Sequence, residues 1–151
     1  MPIDPRTEYL HLTAAGTATV LPGGEHFWSL PTAELDRLGS GWLVSEFEFT
    51  ADWSNWEVHP IADELVYVLS GDVEFVFDEP SGLRCHRVRE RGLVVVPRAV
   101  WHTALVHATS RVLHITMGAG TEHRPAKASL RARIGAMRAA GVPLGPSWPA
   151  S

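Results

Sequence analysis

From Gly41 to about position 117 the chain is written in short runs of Val, Phe, Trp, Leu and Tyr broken by turn residues, a texture that permits little besides an antiparallel β-barrel or sandwich. Strands are predicted near 42–50, 56–60, 64–70, 72–78, 83–88, 93–97, 101–107 and 111–117. Ser70-Gly71-Asp72 and Asp78-Glu79-Pro80-Ser81-Gly82 carry turn chemistry, so a hairpin is expected at each. Within 42–50, Leu43, Ser45, Phe47 and Phe49 alternate with Trp42, Val44, Glu46 and Glu48, which turns one face to a core and leaves Glu46 and Glu48 on the solvated side.

The flanks read differently. Pro5, Gly16, Pro22-Gly23-Gly24, Pro31 and Gly39-Ser40-Gly41 punctuate the first forty residues, predicting an irregular segment that wraps the barrel or a partner, with a helical turn or two near 33–38. After Gly118, Leu130, Ile134 and Met137 share a stripe with Arg131, Arg133 and Arg138 off it, the pattern of a short amphipathic helix with a solvated basic face, ended by Gly141 and Pro143. The tail Pro146-Ser147-Trp148-Pro149 reads as loosely held. The expected organisation is therefore one domain in three parts: an irregular segment over 1–40, a barrel over 41–120, and a C-terminal helix and tail over 121–151.

Composition narrows the function classes. The 151 residues suffice for one core without covalent staples, and the single Cys85 excludes an internal disulfide and the cysteine sets of structural zinc modules. A formal charge of -4 argues against a nucleic-acid partner. No apolar run approaches the roughly 20 residues of a membrane span, and Asp4, Arg6 and Glu8 stand where a signal peptide would need an apolar stretch. A cytoplasmic protein with no membrane and no nucleic-acid partner is expected. The eight histidines leave a metal site open.

The stretch from Trp56 to Gly71 answers that opening. Glu57 and His59 are two apart on a strand and share a face; Glu64 opens the next strand after a connection holding Pro60 and Asp63. His102 starts a later strand, after the apolar run Leu93–Val96 and a turn at Pro97. Two imidazoles with one or two carboxylates are a donor set for one divalent metal ion per chain, with Fe, Mn, Zn and Ni all permitted. His59, His102 and Glu64 alone make a two-His-one-carboxylate face; Glu57 is either a fourth ligand or a hydrogen-bond partner of a ligand histidine or a metal-bound water.

These residues resemble the two motifs of the cupin superfamily, G-x5-H-x-H-x3-4-E-x6-G and G-x5-P-x-G-x2-H-x3-N. His59, Glu64 and Gly71 fall at the spacing of the first, and Pro97 and His102 at that of the second. The resemblance spans roughly 41–117 and implies an all-β double-stranded β-helix of the jelly-roll type, with Glu57, His59, Glu64 and His102 as the metal set. Four departures stand out. Glu57 replaces the first histidine, Arg91 and Ala99 the two glycines of the second motif, and Val106 the final asparagine. The glycine losses are read as loop variation at positions where φ stays negative, and the second carboxylate as a shift toward harder ions.

Other candidates read more weakly. Asp63 is expected to serve the turn rather than the metal. His114 is read as a strand histidine satisfied by its neighbours, with a place on the cavity wall as the alternative; His107, of opposite parity to His102 on its strand, is expected outside. His11, His26, His86 and His123 receive no role, Cys85 has no neighbouring base to activate it, and Gly118-Ala119-Gly120-Thr121 reads as a turn leaving the barrel. The function expected is metal-dependent dioxygenase, isomerase or lyase chemistry on a small oxygen-bearing metabolite. The alternatives are non-catalytic binding or sensing of such a molecule and a structural subunit with an empty cavity. A homodimer is expected from the exposed aromatic faces.

Overall fold

The computed structural model describes residues 1–145, so the tail at 146–149 lies outside the described residues. The elements run β1 (Glu8–Leu12), β2 (Ala18–Pro22), α1 (Glu25–Trp28), α2 (Thr32–Gly39), β3 (Trp42–Phe49), β4 (Asn55–Val58), β5 (Glu64–Glu79), β6 (Gly82–Arg89), β7 (Leu93–Val96), β8 (Trp101–Thr116), β9 (Glu122–Pro125) and α3 (Leu130–Ala139). Strands β2-β1-β3-β8-β4-β9 form one antiparallel path, and β5 pairs with β8, β7 and β6. This is the expected all-β double-stranded β-helix, with β5 and β8, 16 residues each, as its spine.

The hairpin expected at Ser70-Gly71-Asp72 does not form. The strand continues through these residues, and its pairing with β8 slips between Val68 and Val73. Gly71 carries the irregularity: its φ is +98°, and an added Cβ would lie 2.2 Å from Ser110 Oγ and 2.6 Å from the Thr109 carbonyl oxygen. No other residue fits both the conformation and the space. The slip inverts the side-chain alternation. Before it the even-numbered Val66 and Val68 point into the barrel core; after it the odd-numbered Val73, Phe75 and Phe77 do. Even-numbered Val76 then faces outward, where Leu83, Cys85 and Leu105 pack against Leu130 and Ile134 of α3. The two runs expected at 101–107 and 111–117 are likewise one strand, β8. The second hairpin is as read, with Glu79 opposite Gly82.

The first forty residues are not irregular. β1 pairs with β2 and with β3, extending the sheet, and Tyr9, Phe27, Leu38 and Leu43 form a third core beneath α1 and α2. Proline and glycine mark the ends of these short elements rather than forbidding them. Beyond the barrel expected to end near 120, β9 pairs with β4 before α3 begins. Glu46 is also misplaced by the alternation rule: it is buried and ion-paired with Arg111. The helix α3 presents its Leu130–Ile134 stripe inward as read, but its basic face is only partly solvated. Arg131 pairs with Asp52, and Arg138 with the buried Glu74.

Candidate metal centre and its cavity

Register brings the four predicted ligands together. Glu57 on β4 lies directly opposite His102 on β8, His59 follows the end of β4, and Glu64 opens β5. One donor atom from each falls within 4.8 Å of every other. His102 Nε2 is 3.2 Å from Glu57 Oε1 and 3.4 Å from Glu64 Oε2; His59 Nε2 is 3.7 Å and 3.5 Å from the same two oxygens. His102 is fully buried, His59 and Glu64 nearly so, and Glu57 sits on the open side.

The surrounding residues fix which atom of each side chain faces the cluster. His102 Nδ1–H donates to the Val100 carbonyl at 3.2 Å, and His59 Nδ1 bonds the Thr121 hydroxyl at 2.8 Å, so both rings present Nε2. Glu64 Oε1 accepts from the Thr116 hydroxyl and from His114 Nδ1–H, leaving Oε2 turned to the cluster. His59 Nε2 and Glu64 Oε2 are buried with no hydrogen-bond partner among the described residues. Buried polar atoms are rarely left so; here they are aimed at one another across a gap that a metal–ligand bond at each would close.

Without an ion the cluster is a set of ion pairs. Burial opposes charge on His59 and His102, but Glu57 and Glu64 together outweigh it and raise the imidazoles to about 10 and about 9. Burial likewise opposes ionisation of the glutamates. His102, His123 and His59 nonetheless hold Glu57 well below the usual carboxylate range, and His102, His114 and His59 hold Glu64 there. Two anions facing two cations are a balanced site, and replacing the two protons with one divalent ion preserves that balance.

A cavity of about 680 Å³ opens above the cluster. Glu57, His59 and Glu64 line it, with His114, Thr116 and Thr121; aromatic walls come from Phe47, Phe49 and Trp53, and Phe27, Trp28 and α2 roof it. The roof is tied to the site: Ala119 N donates to the Gly39 carbonyl and Gly120 N to Asp36, in the same turn whose Thr121 holds His59.

Several residues therefore matter that sequence spacing did not assign. His114 is both satisfied and on the cavity wall, through Glu64. His123, given no role, stands 3.4 Å from Glu57 Oε2, and the turn at 118–121 supplies the His59 anchor. Asp63 serves its turn as read, accepting from Arg98 N at 2.7 Å. His107 lies outside with Glu74 and Arg131, and burial pushes the Cys85 thiol up to about 11, which keeps it inert. The reading of negative φ at the lost glycines is corrected: Arg91 and Ala99 have φ of 65° and 62°, and no other non-glycine among the described residues has a positive value. The left-handed backbone stays because the loop is needed. Ala99 N donates to the His59 carbonyl at 2.9 Å. Gly92, one residue late for the motif, meets a different demand, since an added Cβ would lie 2.4 Å from Val88 Cγ1.

No family model and no curated protein matches the chain. Solved structures do. Peruvianin-I, a cysteine peptidase from Thevetia peruviana latex, matches at 15% identity over 58% of each chain with a TM-score of 0.50. A cupin-2 domain containing protein from Shewanella frigidimarina matches at 16% over 55% of this chain and 71% of its own, TM-score 0.43. An oxalate oxidase in complex with the substrate analogue glycolate matches at 17% over 67% and 59%, TM-score 0.47. The chain spans 58% of the length of peruvianin-I. At these identities the likeness is one of fold, and the class rests on the chain's own topology: an antiparallel double-stranded β-helix whose two motifs resemble those of the cupins. A cluster of two histidines and two glutamates lies at the end of the barrel that opens into the cavity.

Proposed function

We propose that Glu57, His59, Glu64 and His102 hold one divalent metal ion, and that the cavity above receives a small oxygen-bearing molecule for metal-dependent oxidoreductase, isomerase or lyase chemistry. The observation that carries this reading is the pair of unpartnered buried atoms, His59 Nε2 and Glu64 Oε2, converging with two further donors. The donor set suits the ion, since neutral imidazole and carboxylate together accommodate Fe, Mn, Zn or Ni. When bound, the ion would supply Lewis-acid polarisation or activation of water or dioxygen. The protein's own part is to hold Nε2 of both rings forward through Val100 and Thr121, to turn one Glu64 oxygen inward through Thr116 and His114, and to wall the space above them with aromatic rings and the α1–α2 roof. No helix among the described residues is long and apolar enough to cross a membrane. Exposed Trp28 and Leu93 support pairing with a second copy of the chain.

Elemental analysis of untagged protein is expected to give close to one ion per chain, abolished in a His59→Ala, His102→Ala double variant. Wild-type protein that stays metal-free after reloading overturns the reading. Oxygen uptake and product analysis across small acids and diketones then separate an enzyme from a binding protein, which would show ligand-dependent melting shifts without turnover. A monomer by light scattering at micromolar concentration rules out the homodimer.

A further inference from the structure

We propose that the cavity selects a small aromatic molecule carrying no more than one negative charge, with its oxygens toward the Glu57–His59–Glu64–His102 cluster, and that it discriminates against phosphorylated and polyanionic metabolites. The proposal rests on the metal-site reading above. Three observations carry it.

The first is charge. Thirteen Lys and Arg are present in the chain, yet none lines the cavity. The nearby guanidiniums are already paired: Arg111 with Glu46, Arg124 with Asp78, and Arg131 with Asp52, whose charge on the cavity wall it offsets. The charged groups that do line it include Asp36, Asp52, Glu57 and Glu64. A divalent ion with two glutamates and two neutral imidazoles sums to zero, so beyond the ion itself a phosphate dianion would meet carboxylates and no lysine or arginine, the reverse of what phosphate recognition uses.

The second is the wall. Trp28, Phe47, Phe49 and Trp53 form a continuous band with successive ring centroids 6.4, 6.2 and 5.2 Å apart. Such a band offers ring faces and edges to a flat apolar guest, and about 680 Å³ is within the range of cavities that enclose small molecules.

The third is a pair of hydrogen-bonding groups left over. Trp53 Nε1–H and His114 Nε2 are buried without partners among the described residues, and both side chains line the cavity. Trp53 can only donate. His114, which gives its Nδ1–H to Glu64, presents a lone pair at Nε2. One donor and one acceptor complement a hydroxyl or an enol, whereas a phosphate dianion can only accept.

The test uses two probes that differ by a ring and not by a chelating head. Untagged protein is loaded with Mn(II), its ion content is measured before and after, and benzohydroxamate, acetohydroxamate and glucose 6-phosphate are titrated by calorimetry. Benzohydroxamate is expected to bind at least tenfold tighter than acetohydroxamate, with glucose 6-phosphate weaker than both. Trp53→Phe, which keeps a ring and removes the N–H, is expected to weaken both hydroxamates by about fivefold at unchanged ion content. Equal hydroxamate affinities, tighter glucose 6-phosphate, or a silent Trp53→Phe overturn the proposal while the metal reading stands. Failure to load Mn(II), and Fe(II), Zn(II) or Ni(II) in its place, overturns the metal reading itself, and this proposal with it.

Discussion

Two glutamates on one strand, Glu64 and Glu74, are equally buried at 2% exposure and have opposite fates. Glu74 faces outward beneath α3, where Arg138 and His107 satisfy both of its oxygens. Glu64 faces inward, with one oxygen held by Thr116 and His114 and the other left bare beside two imidazoles. Burial of a carboxylate is common to both; what separates a structural anchor from a site awaiting a ligand is whether its hydrogen bonds are complete. The residues are ten apart, so strict alternation would put them on the same face, and only the slip at Gly71 sends them to opposite sides.

The contrast can be broken at its source. Gly71→Ala is expected to destabilise the protein by about 4 kcal/mol or prevent folding, since it combines a left-handed backbone with a steric clash against Ser110; urea denaturation measures it. Glu64→Gln is the sharper probe. It keeps an oxygen for Thr116 and His114 but removes the charge, so ion affinity should fall by at least about 100-fold with the fold retained, read by competition with a metal indicator.

A pH series tests the inward-facing cluster further. His59 and His102, raised to about 10 and about 9, are both protonated at neutral pH in the ion-free protein. Each must lose a proton to bind metal, so affinity should rise with pH by up to about 100-fold per unit below pH 9, then less steeply, and level off above 10. Without metal the sign reverses. The stabilisation from these imidazoliums is complete below the unfolded pKa near 6.5 and is lost as pH rises through 9 to 10. A pH-independent ion affinity would sink this account of the cluster.

On the other side of the sheet, Arg138→Met should lower stability by about 2 kcal/mol while leaving ion binding intact, because it strips Glu74 of its main partner. The smallest effect is a gain. Ala99→Gly should stabilise by about 1 kcal/mol, raising Tm by a few degrees, by relieving a φ of 62°.

The site's inner four residues were legible because Glu57 and His59 obey strand parity and because Glu64 and His102 fall at motif spacing. Thr116, Thr121, His123 and the bond from His114 to Glu64 were not, since these contacts depend on how β8, β9 and the turn between them sit against β4 and β5, which spacing along one strand does not encode. The barrel itself was legible from its apolar runs. Its long strands were read as broken because Gly71 looks like a turn and Ala108-Thr109-Ser110 is polar, while β1 and β2 were hidden by the punctuation around them. Arg91 and Ala99 show a further limit: a missing glycine signals a changed residue, not a changed backbone.

The placement of the cluster at the floor of the cavity also has a kinetic consequence. His102 has no exposed surface, and the other three ligands line the chamber beneath the α1–α2 roof. An ion held there would leave by the route its small-molecule guest occupies. The guest then acts as a stopper, and the ion's residence time against an external chelator lengthens whenever the chamber is filled.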